Sequence, residues 1–308
     1  MNTNICKIKK NIGANIKTVV HHKKNIIITA TDSKYADFLT NHWLKSLQDN
    51  INTKNIDILI LDYGMTNNQV RLLKSKNVLI QKCLRNGYVV TIRYRDIANF
   101  LSLNSYNQVL LIDSGDVIFQ SDINELFNKN KNSYRAFCEK MTLINMNKVF
   151  LEGFFDKKKV KQMREILKNK KPINGGVIVG PADKMLSLAI EVWTIVKKKN
   201  AYGPDQTAVN YILYRDGFKP LPDKYNMIIT TGGTDFFIKN STFYFVNGKK
   251  ISIVHNAGRN KFLRPIKDFG YGPNYNSSKK VIYYVIKHLA KIKTKIKRKH
   301  IKKYNGKL

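Results

Sequence analysis

The chain has 308 residues, 43% of them hydrophobic, with 55 Lys and Arg against 21 Asp and Glu, a formal net charge of +34. Cys6, Cys83 and Cys138 are odd in number and far apart, which excludes a disulfide framework or a paired-cysteine metal site. No uncharged apolar stretch reaches the ~18 residues that span a bilayer. A charge of this sign attracts polyanions: nucleic acid, anionic lipid headgroups or phosphate-bearing substrates. The abundance of Lys, Asn and Ile also fits a codon bias, but that alone does not explain why acids are so scarce.

Residues 1–24 form a polar, basic segment whose start, MNTNICKIKKNIG, lacks the apolar core of a signal peptide. The expectation is an intracellular protein, soluble or peripheral on a membrane. NIIITATD (25–32) predicts a short buried strand, YADFLTNHWLKSL (35–47) a helix, IDILILDYG (56–64) a second strand, 67–75 a helix and VLIQKC (78–83) a third strand. RYRDIANFLSL (93–103) has helical spacing with Ile97, Phe100 and Leu101 on one side, and 109–112 is the fourth strand. Strands alternating with helices predict an α/β fold with a doubly wound, mostly parallel sheet. Ligands of such sheets sit beyond the carboxyl ends of the strands. TATD, DYG and DSGD all fall at such ends, so Asp32 and Asp113 share one rim.

The second half is more mixed. RAFCE (135–139) reads as a strand, and 140–171, with KKKVKQMREILKNKK, as a basic helical excursion over the rim. NGGVIVG (174–180) is a strand opened by glycines. KMLSLAIEVWTIVKKK (184–199) is an amphipathic helix, and DQTAVNYILY (205–214) is another with Asp205 near its N-cap. TFYFVN (242–247) and KISIVHNAG (250–258) give two short strands. The organisation expected is a basic segment 1–24, an α/β domain 25–275 and a basic tail 276–308.

Residues 279–308 contain no Asp or Glu. On a helical wheel Val281, Ile282, Val285, Ile286, Leu289, Ile292 and Ile296 cover an arc of about 140°, interrupted by Lys293 and Lys299, with Lys287, Lys291, Lys295 and Arg298 opposite. Such a helix either lies on an anionic membrane surface or packs on the domain and exposes its lysines.

The stretch VLLIDSGDVIFQSD (109–122) places Asp113 and Asp116 at a strand end. Two carboxylates so placed can converge on Mg²⁺ or Mn²⁺, with substrate phosphates completing the coordination. Ordinary turn chemistry also uses Asp, Ser and Gly. His255 ends the apolar strand ISIV, where a neutral imidazole suits a third ligand or serves the structure alone.

VLLIDSGDVIFQSDINELF resembles the aspartate signature of nucleotide-sugar glycosyltransferases with the GT-A fold, and most closely the glycogenin-like glycosyltransferase family 8. Three further blocks follow in that family's order. NGGVIVG resembles its Asn-Ser-Gly-Val block. GPDQTAVNYIL resembles its Asp-Gln-x-x-x-Asn block, with Asp205, Gln206 and Asn210. VHNAGRNKF resembles its His-x-x-Gly-x-x-Lys block, with His255, Gly258 and Lys261. LPDKYNM (221–227) is similar to the segment after the Asp-Gln helix. The blocks span 26–265. One departure stands out: the acids are Asp-x-x-Asp, with an extra residue between them. Either the loop bulges and both reach a metal, or Asp113 faces the nucleotide ribose.

The resemblance implies a GT-A-like, Rossmann-related mixed sheet flanked by helices. It implies a metal-dependent transfer of a sugar from a nucleotide diphosphate sugar, a UDP-sugar, to an acceptor hydroxyl with retention. Mn²⁺ (or Mg²⁺) would sit on Asp113, Asp116 and His255. Gly258 would let backbone approach the diphosphate, and Lys261 would place an ammonium against it. Asp205, Gln206 and Asn174 would lie near the reacting carbon, with Gly175 and Gly176 bringing backbone close to the sugar. Arg95 would touch base or phosphate, or else sit on a helix surface. Thr29, Ala30 and Asp32 would receive the nucleotide. The acceptor, whether glycan, protein or lipid-linked, is not specified, and 140–171 is the segment expected to choose it. Two other readings stand beside this one. A nucleic-acid-binding protein is disfavoured by the even spread of Lys and the lack of a recognised motif. A nucleotidyltransferase would share the acids without needing the later blocks. A phosphohydrolase of the haloacid type fits less well, because DSGDV lacks the acid at the +2 position.

Overall fold

The computed structural model describes residues 25–140, 152–232, 235–258, 261–289 and 292–293. Four parallel strands begin the fold: β1 (Asn25–Thr31), β2 (Ile56–Asp62), β3 (Leu79–Lys82) and β4 (Gln108–Ile112). With β6 (Tyr134–Cys138), β7 (Ile173–Pro181) and β8 (Phe218–Pro220) they form a seven-stranded sheet in the order β3-β2-β1-β4-β7-β6-β8. β7 runs antiparallel to both β4 and β6, and β8 is parallel to β6. The sheet is therefore mixed and mostly parallel, as the alternating pattern predicts.

The apolar runs in β1, β2 and β4 exist because both sheet faces are covered there. Side chains alternate between faces. Ile26 and Ile28, Leu59 and Leu61, and Val109 and Leu111 enter one core; Ile27, Ile58, Ile60, Leu110 and Ile112 enter the other. The first core is roofed by α3 (Val89–Leu103), α6 (Ala182–Ile195) and α7 (Pro204–Asp216). The second is covered by α1, three continuous segments Ser33–Phe38, Leu39–Leu44 and Lys45–Asn50, the middle one a π-helix. α2 (Asn67–Lys74) opens with a capping box between Thr66 and Gln69. Each fully buried Leu or Ile contributes about 1.5–3 kcal/mol relative to exposure.

Several elements differ from the sequence expectation. α3 begins at Val89, four residues before the expected start, because Tyr88 and Lys199 tie its first turn down through a backbone bond of 2.8 Å. β5 (Val117–Phe119), directly after the paired acids, joins β12 (Ile253–His255) and β9 (Met227–Ile228) in a small sheet in the order β5-β12-β9. A hairpin of β10 (Phe236–Lys239) and β11 (Thr242–Phe245) packs beside it, with Phe236, Phe243, Val254 and Tyr283 in one apolar cluster. α4 (Glu125–Asn128) is a single turn. α5 (Lys157–Ile166) lies within the segment expected to cross the rim, but buries Val160 and Met163 in the first core. No described residue of 152–171 lines the cleft discussed below, and 141–151 lie outside the described residues. The basic segment 1–24 and residues 294–308 also lie outside them.

Hydrogen bonding does not pause at 275. Asn276, expected to open the tail, is buried and bonds Gly270 and Ser241. Residues 281–289 are helical. No helix among the described residues is long and apolar enough to cross a membrane.

Candidate active site

A cleft of about 870 Å³ opens at the carboxyl ends of β1 and β4, where the switch in strand order places ligands in open α/β sheets. Its walls are the turn after β1, the first turn of α3, the Asp113–Asp116 loop, the start of β7, the start of α7 and the loop after β12. Ala30, Asp32, Asp113, Asp116, Asn174, Gly175, Asp205, Gln206, His255, Gly258 and Lys261 all line it.

The Asp113–Asp116 loop is pinned from four sides. The Asp113 amide donates to the Gly176 carbonyl at 3.0 Å, and its carbonyl accepts from the Trp43 indole at 3.0 Å, so the π-helical segment supports the site directly. Ser114 Oγ donates to the Ala30 carbonyl at 2.8 Å, and the Asp116 carbonyl accepts from the Asn256 amide at 2.8 Å. Despite the extra residue, the two carboxylates converge: one ligand atom each from Asp113, Asp116 and His255 lie within 4.8 Å of one another. Two carboxylates and an imidazole are a donor set suited to Mn²⁺ or Mg²⁺, so these residues fit such an ion.

His255 is oriented by a chain of amides. Asn174 Oδ1 accepts from the Gly176 amide at 3.0 Å and from Asn226 Nδ2 at 3.1 Å. That leaves Asn226 Oδ1 as the acceptor facing His255 Nδ1, 3.2 Å away. The Nε2 atom is then the one turned to Asp116 Oδ1, at 3.4 Å. At its far end the chain reaches Glu139, which accepts from Asn174 Nδ2 at 3.3 Å and whose carboxyl is raised above its ordinary range by burial. Asn174, expected beside the reacting carbon, thus bonds within the frame that aims the histidine.

Charge is balanced inside the cluster. Burial opposes ionisation of Asp116, but His255 and Arg264 outweigh it and hold the carboxyl below its usual value. Burial alone would lower His255, yet Asp116 and then Asp113 raise it overall. Asp113 is paired with the buried Arg93 at 2.6 Å. A Cβ on Gly176 would lie 2.5 Å from the His255 ring and 2.9 Å from the Asp113 carboxylate, so only glycine lets β7 pass beneath the cluster.

Beyond the cluster, Asp205 sits in the first turn of α7, after the left-handed Gly203 and Pro204 that start the helix. Burial, opposed by Arg93 and reinforced by Asp113, pushes its carboxyl up to about 6. Its Oδ1 and the Arg93 Nε are buried without a hydrogen-bond partner among the described residues. Buried polar atoms are rarely left so, and an unpaired acceptor and donor on two residues that line the cleft suit a ligand rich in hydroxyls. Asn210, the last residue of that block, instead bonds the Ile173 backbone at 2.6 and 2.8 Å and fixes α7 to β7.

Two expected residues lie outside the cleft. Thr29 is fully buried between sheet and helices: it shares a face with Thr31, which lines the cleft, but sits two residues deeper in β1. Arg95 bonds Asp96, Asn86 and the Leu84 carbonyl, with its guanidinium 5.5 Å from the Trp193 ring centre. Of the two arginines at the start of α3, Arg93 is the one that lines the cleft; two positions along a helix turn the side chain to the other face. Its signal was in the sequence: Arg93 precedes the buried Ile97, Phe100 and Leu101 by four, seven and eight residues. Asn226 lay in the LPDKYNM segment without an expected role. Arg264 and Tyr35, which also line the cleft, carried no signal of spacing.

The family whose model matches is Glycosyl transferase family 8, over residues 26–263. Among solved structures, the chain is similar to one described as the WbbM bifunctional glycosyltransferase in its apo form, at 19% identity and a TM-score of 0.54. The match covers 80% of this chain and 48% of that one, so this chain spans about half its length. It is also similar to the apo form of the glycosyltransferase GlyE in Streptococcus pneumoniae TIGR4, at 18% identity and a TM-score of 0.49, over 89% of this chain and 64% of that chain. No curated protein sequence matches.

Proposed function

Because this chain belongs to glycosyl transferase family 8, we propose that it transfers a sugar from a nucleoside diphosphate sugar, a UDP-sugar, to an acceptor hydroxyl, with a divalent cation and with retention at the anomeric carbon. The observation that carries the reading is the convergence of Asp113, Asp116 and His255 in the cleft of the α/β sheet. Those three residues would hold Mn²⁺ or Mg²⁺, which as a Lewis acid would offset the charge of the departing diphosphate. Lys261 and Gly258, which line the cleft, would face the diphosphate, and Ala30 and Asp32, which also line it, would face the nucleotide. Asp32 caps α1 and pairs with Arg85 at 3.2 Å, which fixes that rim. Asp205, Gln206 and Arg93 form the sugar pocket. Their contribution is to orient donor and acceptor and exclude water. The acceptor is a glycan, protein or lipid-linked hydroxyl. The transferase domain begins at 25 and extends past the expected boundary at 275, since Asn276 is buried and Tyr283 enters the third core, with the basic tail beyond.

A thermal-shift screen of nucleotide sugars with and without Mn²⁺ tests the donor. A ligand at ~100 times its Kd stabilises by about 2.7 kcal/mol. The expected hit is a UDP-sugar, and only with metal. Asp116→Ala should abolish metal-dependent transfer and donor hydrolysis; unchanged turnover in that variant removes the metal role from this residue. Steep salt-dependent retention of nucleic acid on filters, without a nucleotide-sugar response, would favour the polyanion reading instead.

The tail adds a membrane surface to the proposal. Tyr283 anchors the helix 281–289 in the third core. Val281, Val285 and Leu289, on one side of the helix, are 78%, 45% and 47% exposed. An apolar stripe left in water among lysines fits an anionic lipid surface better than a face packed on the domain. Co-sedimentation with phosphatidylserine vesicles should be lost in Val285→Asp/Leu289→Asp and kept at neutral lipid only weakly. Undiminished binding of the double variant overturns this part.

A further inference from the structure

Arg264 closes the cation cluster. Its Nη2 lies 3.2 Å from Asp116 Oδ2, its Nη1 donates to the Gly115 carbonyl at 2.5 Å, and its Nε donates to the Gly258 carbonyl at 3.2 Å. The guanidinium is 5.6 Å from the Tyr35 ring centre, and a Cβ on Gly258 would meet the Arg264 Cγ at 3.2 Å. The side chain therefore ties the aspartate loop to the loop after β12. With His255 on Oδ1, both Asp116 oxygens are already engaged. Asp113 is paired through one oxygen, Oδ1, with Arg93. The two carboxylates of the cluster thus face two guanidinium groups, and the pair carries no surplus negative charge to draw in a free dication.

We propose that Arg264 is an internal counter-ion: it holds the cation side of Asp116 while the site is empty and moves to the donor diphosphate when the donor binds. The proposal rests on the nucleotide-sugar reading above. A planar guanidinium can exchange a carboxylate for a phosphate with the same paired geometry. The cleft walls carry five cationic side chains against four carboxylates, so the site favours an anion, or an anion with its metal, over a metal alone. Ion and donor therefore bind cooperatively: each supplies the charge that releases the other's partner. Free Mn²⁺ is held weakly, and the ion is taken up as part of the donor complex.

The test measures Mn²⁺ affinity by electron paramagnetic resonance, with and without UDP, in the wild type, Arg264→Gln and Arg264→Met. The Met variant keeps an apolar stem over Gly258 and guards against a variant that does not fold. Without UDP, either variant should bind Mn²⁺ about tenfold more tightly than the wild type, of the order seen when groups around a metal are changed. The factor by which UDP tightens Mn²⁺ should be larger in the wild type than in either variant. Mn²⁺ affinity without UDP that is unchanged or weaker in the variants, while the wild type binds both ligands, overturns the counter-ion and leaves the transferase reading standing. A wild type that binds neither ligand overturns both.

Discussion

Nδ1 of His255 lies 3.2 Å from Oδ1 of Asn226, a side chain fully enclosed between β9 and the start of β7. Asn226 presents its oxygen to the histidine because its nitrogen is committed to Asn174. The ring nitrogen facing Asp116 is thereby fixed. Asn226→Leu removes the acceptor and strands a buried N–H on His255 and a lone pair on Asn174. Each stranded group costs about 1–3 kcal/mol. Mn²⁺ affinity should fall about 10–100-fold, the usual range when a ligand's hydrogen-bond support is lost. Thermal melting and Mn²⁺ titration of the same preparation separate the two effects, and retention of wild-type Mn²⁺ affinity would refute the orienting role.

The protonation of His255 sets a pH dependence. Burial opposes its charge, but Asp116 and Asp113 outweigh it and raise His255 above its ordinary value in the ion-free protein, so the imidazole holds more tightly the proton that a metal must displace. Asp116, lowered by His255 and Arg264 against its burial, stays ionised throughout. Mn²⁺ affinity should therefore climb with pH above the ordinary histidine value, and binding there should release protons. Calorimetry in two buffers of different ionisation heat reads that release. Affinity flat with pH would mean that His255 is not a ligand.

Much of this arrangement was legible in the sequence because it rests on short-range patterns. The buried strands, the acids at the end of β4 and the histidine at the end of β12 follow from apolar runs stopping at polar residues. Arg95 for Arg93 was an error of helix phase: the residues are adjacent in type and differ only in which face of α3 they occupy. Thr29 differs from the cleft-lining Thr31 in depth along β1 and not in face, which an apolar run alone does not reveal. Asn226 and Arg264 were not legible, because their roles depend on contacts across 52 and 149 residues, to Asn174 and Gly115. β5 was missed because three residues between paired acids and a polar turn give too short a period to register. The apolar side of 281–289 was visible, but Tyr283, the residue that docks, lay outside the expected arc.

Asp205 carries a stability cost that changes with pH. Its carboxyl is raised from 3.8 to about 6, chiefly by burial. A group raised in the folded state stabilises below its unfolded value, and that stabilisation is lost as pH rises through the folded one. The interval corresponds to about 3 kcal/mol, paid in full above about pH 7 and absent below about pH 4. Asp205→Asn should therefore unfold at higher denaturant than the wild type at about pH 8, with the difference shrinking toward about pH 4, while transfer activity drops. A variant less stable than the wild type at high pH would show instead that the ionised carboxylate holds the site together through Arg93.

The two glycines at the start of β7 should respond differently to a single methyl group. At Gly176 the added carbon would lie 2.5 Å from the His255 ring, 2.9 Å from Asp113 and 3.0 Å from Asn174. These groups cannot retreat together: Asn226 holds the imidazole, Arg93 holds the carboxylate and the β7 backbone holds Asn174. Gly176→Ala should cost about 1–3 kcal/mol by overpacking and weaken Mn²⁺ at least tenfold by splaying the ligands. At Gly175 the nearest neighbour would be Gln206 at 3.9 Å, an ordinary contact. Gly175→Ala should keep wild-type stability and Mn²⁺ affinity, and raise the KM for the donor, because the methyl group occupies the space beside Gln206 that the sugar would use. Equal losses of Mn²⁺ affinity in the two variants would place the strain in the β7 backbone rather than under the cluster.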